Sequence, residues 1–474
     1  MMASFDRVLE IFYDLCSIPH PSGHTEGIRE YLHAFAKNND LYCHEDKGHN
    51  ILIKKEGTLK SKPVILQAHI DMVGVSDDPS IDMAKHKIET YIDGDYLKAK
   101  GTTLGGDDGI GVAYILALLE DKDLISPPIE GLFTVDEETG MDGAVNLEMD
   151  YLEGERLINI DSEDEGELLS SSAGGAHLTI YPEVTRKKMS GTLCKIEVSG
   201  LYGGHSGQEI KRRGLNAIKV LFDNLHRLEE MNLVGLVSIK GGEALNIIPK
   251  CAVMEVVTPD SKKLIDEIKK AERELKNTYA STDPNLKLEC SVVKENGEFD
   301  SATARSLKTA LASVHKIPCG VIKTSPQDDT FVVLSANYGK VSLSSLDTTL
   351  TLQVSFRGND DDEKAELLEN VETALKKFKT LKYVIDAIYP GWKYQKSELR
   401  EIMKGVYKDM YGKEMKEMAI HAGLECGYFI EKRPSIDATS IGPNVYDVHT
   451  TSERLSLSSS KRVFEYIIKV LEKL

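Results

Sequence analysis

His69-Ile70-Asp71 places an imidazole and a carboxylate two residues apart, directly behind the apolar run Val64-Ile65-Leu66-Gln67-Ala68. Residues two apart on an extended chain share a face. The imidazole can then hold a divalent cation while groups beside it, the Asp71 carboxylate among them, fix its tautomer. Gly105-Gly106-Asp107-Asp108-Gly109 sets two aspartates at the mouth of an apolar helix. One of them, Asp108, is expected to cap the free N–H groups there. That leaves Asp107 free to bridge two cations with its two oxygens. Asp136-Glu137-Glu138 follows the apolar run 131–135. Adjacent acids behind a buried strand repel one another unless something positive lies close. Glu138 can take a metal, and its neighbour Glu137 can serve as general base toward a water. Asn159-Ile160-Asp161 repeats the pattern and makes Asp161 a candidate terminal ligand. Most of the acids behind it (Glu163, Asp164, Glu165 and Glu167) read as facing solvent. His449, in Val448-His449-Thr450, completes the set from a late loop.

The elements that must position these residues alternate between strand and helix. Helices are expected over 5–16, 26–38 and 109–120, and buried strands over 64–68, 131–135 and 157–160. This order implies an α/β domain with a mostly parallel sheet flanked by helices. In such a sheet, positions just past the strands gather on one edge, where open α/β sheets place their sites. From about 174 the rhythm changes to β-α-β-β-α-β (193–199, 215–231, 233–239, 250–257, 260–278, 286–294), the ferredoxin-like order. The stretch 301–388 partly repeats it. Beyond Pro390-Gly391, helix 396–411, strands 415–420 and 435–441 and helix 459–473 fit back onto the first domain. The expected organisation is a discontinuous catalytic domain (1–173 and 393–474) interrupted by a lid domain (174–392). The acidic cluster 359–363 is expected to cap the helix that follows it.

The 474 residues exceed one ordinary core, in keeping with two domains. A net charge of −18 disfavours nucleic acid and anionic membrane as partners and suits a site for cations. No signal-peptide pattern or membrane-length apolar run is present, so a cytoplasmic location is expected. Cysteines 16, 43, 194, 251, 290, 319 and 426 form no CxxC pair and read as reduced, mostly buried thiols.

Taken in order, these motifs resemble the metallopeptidase family of carboxypeptidase G, peptidase T and the aminoacyl-histidine (Xaa-His) dipeptidases, most closely the last group. The resemblance spans nearly the whole chain. It rests on His69-Ile70-Asp71-Met72-Val73, Tyr91-Ile92-Asp93-Gly94, Gly101-Thr102-Thr103-Leu104-Gly105 and Gly140-Met141-Asp142-Gly143-Ala144. Gly203-Gly204-His205-Ser206-Gly207 and His421-Ala422-Gly423-Leu424-Glu425-Cys426-Gly427 add to it. It implies two divalent ions, Zn with Mn or Co as alternatives. His69 and Asp161 would hold one, Glu138 and His449 the other, and Asp107 would bridge them. Glu137 would be the general base and Asp71 would orient His69. His205 would donate to the oxyanion, in cis or from a second subunit in a homodimer through the lid. Asn246 and Arg357 would bind the substrate, Arg357 gripping its carboxylate. An alternative partner for Arg357 is the acidic run at 360–363. Where the resemblance leads one to expect Asn, the chain has Asp108.

The implied activity is hydrolysis of dipeptides, Xaa-His among them. A tripeptide aminopeptidase or an N-acyl amino acid amidase would use the same machinery. A metal-binding scaffold without catalysis is the reading from another class, and Glu137 argues against it because a scaffold has no use for a base there.

Overall fold

The computed structural model describes residues 4–326 and 329–474. Cα packing divides the chain into two compact units. One comprises Met1–Ser171, Tyr394–Ala419 and Leu424–Leu474, the other Ser172–Lys393 with the short return Ile420–Gly423.

The first unit is built on an eight-stranded sheet. Its order is Tyr42–Glu45, Ile51–Lys55, Ile129–Thr134, Val64–His69, Arg156–Asn159, Asp437–Ser440, Glu167–Ser171, Lys416–Ala419. The four central strands, Ile129–Thr134 to Asp437–Ser440, run parallel. Val64–His69 and Ile129–Thr134 are buried at every position, which is why they read as unbroken apolar runs rather than alternating ones. Helix Gly106–Glu120 is buried along nearly its whole length and forms the centre of the apolar core with helix Phe5–Cys16 and the last helix, Leu457–Leu471. Gly111 permits its close approach to the sheet, since a Cβ there would lie 2.7 Å from the Ile160 carbonyl oxygen. A small sheet of Thr90–Asp93, Tyr96–Ala99, Arg454–Ser456 and Val445–Tyr446 carries the late chain segment back toward the start of that helix. These hairpin strands and the first two strands of the large sheet were not legible as elements in the sequence.

The second unit is one antiparallel nine-stranded sheet with helices. Its order is Lys287–Ala302, Arg186–Ser199, Ala252–Thr258, Gly235–Gly241, Val332–Leu343, Thr351–Gly358, Gly174–Tyr181, Lys382–Tyr389, with Gly320–Thr324 added beside Val332–Leu343. Both halves have the β-α-β-β-α-β order. They are nested, not tandem: the first strand of the second half, Gly174–Tyr181, precedes the entire first half in the chain. The halves join where Gly235–Gly241 pairs with Val332–Leu343, Ile239 facing Leu343. Asp360 caps helix Asp361–Leu375, accepting from the amides of Asp362 and Glu363.

All seven cysteines are free. Three are buried, three half-buried and Cys251 is exposed, so the expectation of mostly buried thiols overstates their burial. No helix among the described residues is long and apolar enough to cross a membrane.

Candidate metal centre

Three parallel strands end in register, His69 beside Thr134 and Gln67 beside Asn159. That register sets His69, the turn after Thr134 and the turn after Asn159 on one sheet edge. His69 is 1% exposed. Its Nδ1–H donates to the main-chain carbonyl of Asp71 at 2.9 Å, which turns Nε2 toward the carboxylates of Asp107 and Asp161. The Asp71 carboxylate lies 3.5 Å from Nδ1 and accepts shorter bonds from the Ser22 hydroxyl (2.7 Å) and the Glu137 amide (3.0 Å). Asp71 therefore orients the ring with its backbone and ties down the glutamate turn with its side chain.

Nε2 of His69 is 3.1 Å from Oδ1 of Asp107 and 3.6 Å from Oδ1 of Asp161. The other oxygen of Asp107, Oδ2, is 3.3 Å from Nε2 of His449. His449 Nε2 also lies 2.9 Å from Oε1 of Glu138, yet that buried oxygen makes no aligned hydrogen bond. Three groups bring one ligand atom per residue within 4.8 Å of one another: His69, Asp107 and Asp161; Asp107, Glu138 and His449; and His69, Glu137 and Glu138. His69, Asp107 and Glu138 each belong to two of them. All six residues singled out for metal and base chemistry in this unit thus converge.

The donor set fits divalent cations. Four carboxylates and two imidazoles meet, and among the described residues no lysine or arginine forms an ion pair with any of the four. Burial first, and then the Asp161 and Glu138 charges, drive the Glu137 carboxyl far above the usual carboxylate range. Asp161 is pushed up to about 6, chiefly by burial. Such mutual repulsion among half-buried carboxylates is of the kind that cations relieve.

Two expectations are corrected. Asp108 does not cap the helix: the N-cap position is Gly105, in the left-handed conformation at φ 69°, and no side chain caps there. The Asp108 carboxylate instead turns inward, buried, and accepts from the backbone amide of His69 at 3.3 Å. The free amides of the loop are taken by Glu453, whose carboxylate accepts from Leu104 (2.8 Å), Gly105 (3.2 Å) and Gly106 (2.8 Å). Sequence reading missed Glu453, because nothing local links it to a loop 349 residues earlier. The acidic run behind Asp161 does not face solvent as a whole. Glu165 forms a fork with Arg462 at 2.6 Å and 2.6 Å, and Glu167 pairs with Lys416. Glu163 is half-buried and pushed up to about 7 by burial and by Asp107 and Asp161.

Residues 65–473 match the family model described as peptidase family M20/M25/M40. The chain belongs to that family. It is 34% identical over 475 residues to the cytosol non-specific dipeptidase of Escherichia coli K12, covering 98% of this chain and 97% of that one. The crystal structure of an aminoacylhistidine dipeptidase from Vibrio alginolyticus superposes with a TM-score of 0.87 at 32% identity, covering 99% of this chain and 96% of that one. A tripeptidase from Staphylococcus aureus shares the fold at a TM-score of 0.64 and 15% identity, covering 100% of this chain and 99% of that one. As an M20/M25/M40 peptidase, the protein is a hydrolytic enzyme.

The remaining candidates lie in the second unit of the peptidase. His205 sits in a two-residue strand paired with Ile247–Ile248, His205 facing Ile247. Asn246, exposed in the preceding turn, accepts from the Ser206 amide through its carbonyl. Arg357 is buried, and its guanidinium donates to the hydroxyls of Tyr389 (3.1 Å) and Ser206 (3.4 Å). The acidic run that could have claimed it pairs with lysines: Asp360 with Lys393, Asp361 with Lys364 and Glu363 with Lys323. His421 sits against Ser335 and Asn359 in the same unit, at 2.8 Å and 2.8 Å.

Proposed function

We propose that the chain is a two-metal dipeptidase of broad specificity that accepts Xaa-His dipeptides and works in the cytoplasm. The observation that carries this reading is Asp107, with one oxygen turned to His69 and the other to His449. That is the disposition a carboxylate needs to be shared by two ions. His69 and Asp161 would hold one ion, Glu138 and His449 the other. Two divalent cations in such a site supply Lewis acidity and lower the pKa of water.

Glu137 stands beside the cluster without an ion-pair partner among the described residues. It takes the proton of the attacking water and returns it to the leaving amine. Asp71 holds the Glu137 amide, which keeps the base in reach. In the second unit, His205 donates to the developing oxyanion. Arg357, held by two neutral hydroxyls, offers its charge to the substrate's carboxylate, and Asn246 bonds the peptide. The names of the Escherichia coli and Vibrio relatives support the dipeptide substrate and, for the former, the cytosol.

The test is a panel of dipeptides, tripeptides and N-acyl amino acids assayed with added Zn, Mn or Co. Turnover of dipeptides that far exceeds the other two classes is expected. Turnover of acyl-amino acids or tripeptides without dipeptides would overturn the substrate assignment.

A further inference from the structure

A second polar layer lies under the metal centre, one step down the same three strands. Gln67 precedes His69 by two residues, Asn159 precedes Asp161 by two, and Thr134 ends the strand that leads to Glu137 and Glu138. All three side chains are buried. Asn159 Nδ2 donates to Gln67 Oε1 at 2.7 Å. Gln67 Nε2 donates to the Thr134 hydroxyl oxygen at 3.0 Å and to Oε2 of Glu425 at 2.7 Å. The Thr134 hydroxyl donates to the same Oε2 at 2.8 Å. Each proton direction is fixed: Gln67 spends both amide hydrogens, and the hydroxyl accepts one bond and gives one. The layer therefore ends on one acceptor, Glu425, which is 0% exposed.

Glu425 contributes no metal-ligand atom to the three groups above and meets only neutral donors. It sits at the head of helix Cys426–Lys432, and its carbonyl accepts from the amides of Tyr428 at 2.9 Å and Phe429 at 3.2 Å. Burying a carboxyl at this depth is costly unless its bonds do something. An apolar side chain of the same length would fill the same space without that cost. What the carboxyl adds is registration: it links the strand ends that carry His69, Glu137–Glu138 and, through Asn159, Asp161.

We propose that Glu425 is a positioning residue of the metal centre, a buried acceptor that fixes the relative placement of three ligand-bearing strand ends. This rests on the metal-centre reading above. Groups that orient ligands typically set metal affinity or activity by roughly 10–100-fold.

The test compares wild type with Glu425→Met, Glu425→Gln and Thr134→Val for Zn affinity against a chelator, for kcat and for Tm. Glu425→Met strands two buried donors and is expected to weaken Zn binding by roughly 10–100-fold. Glu425→Gln keeps an oxygen where Oε2 lies and is expected to restore affinity and kcat to within about threefold of wild type, less than the loss of one net hydrogen bond. Thr134→Val removes one donor from a different strand and is expected to weaken Zn binding by roughly 2–10-fold; it decides the matter should Glu425→Met fail to fold. Wild-type affinity in both Glu425→Met and Thr134→Val, or a Gln variant as impaired as Met, overturns the proposal. A wild-type chain that binds no metal overturns the metal-centre reading and this proposal with it, which sets that failure apart from the others.

Discussion

Two clusters of histidine and carboxylate occur in the first unit, and they are built in opposite ways. Around Glu45, the carboxylate meets Arg29, His33 (2.8 Å) and His49 (3.0 Å) near the surface. One anion faces three groups able to carry positive charge, and the cluster is balanced by the protein itself. Around Asp107, four half-buried carboxylates face two imidazoles, His69 buried and His449 exposed, with no lysine or arginine paired to the carboxylates among the described residues. Residue types alone do not distinguish the two. Charge balance does: around Asp107 four carboxylates outnumber the two imidazoles, so that cluster is the one suited to take up cations.

The largest effect that sharpens this contrast is at the base. Glu137→Gln is expected to lower kcat by about 10²–10⁴-fold while the metal content stays at the wild-type level. Loss of metal in that variant would make Glu137 a ligand, as its grouping with His69 and Glu138 permits, and would break the assignment of base and ligand. Next is metal removal. Stripping divalent ions should abolish turnover and lower Tm by several degrees, since an ion at about 100 times its Kd is worth roughly 2.7 kcal/mol to the folded state. An unchanged Tm would mean that the carboxylates around Asp107 are relieved by something other than cations.

Smaller effects belong to the surface cluster. Arg29→Met removes the cation of a half-buried pair and should leave metal content and kcat unchanged while lowering Tm. Smallest is the acid response. Burial raises the Glu45 carboxyl, but His33, His49 and Arg29 outweigh it and bring it down to about 2. A carboxyl held below its unfolded value adds stability above that value and loses it as pH falls toward about 2. Glu45→Gln should therefore lower stability at neutral pH and flatten the acid limb, so that the two curves converge as pH falls toward about 2. An identical acid limb in the two proteins would contradict this.

Most of the site was legible because its residues follow strands whose apolar runs announce them. His69, Glu137–Glu138 and Asp161 are placed by three such strands. His449 was harder to place, since a hairpin absent from the periodicity, Tyr96–Ala99 paired with Arg454–Ser456, brings it there. Glu453 and Glu425 were invisible as parts of the site, because their partners lie hundreds of residues away and a lone glutamate carries no local signal. The aspartate pair misled for a physical reason. An N-cap rule expects a side chain to cover the helix mouth, but Glu453 already covers it, which frees Asp108 to turn into the core. The nested order of the second unit escaped because Gly174–Tyr181 pairs with Thr351–Gly358, far along the chain, and looks isolated where it stands.

Metal stoichiometry by elemental analysis, on wild type and Asp107→Ala side by side, tests the two-ion centre most directly. Two divalent ions per chain in the wild type and fewer than one in the variant are expected, because one carboxylate would serve both positions. A fully active wild type without metal, or a variant that keeps both ions, would contradict it.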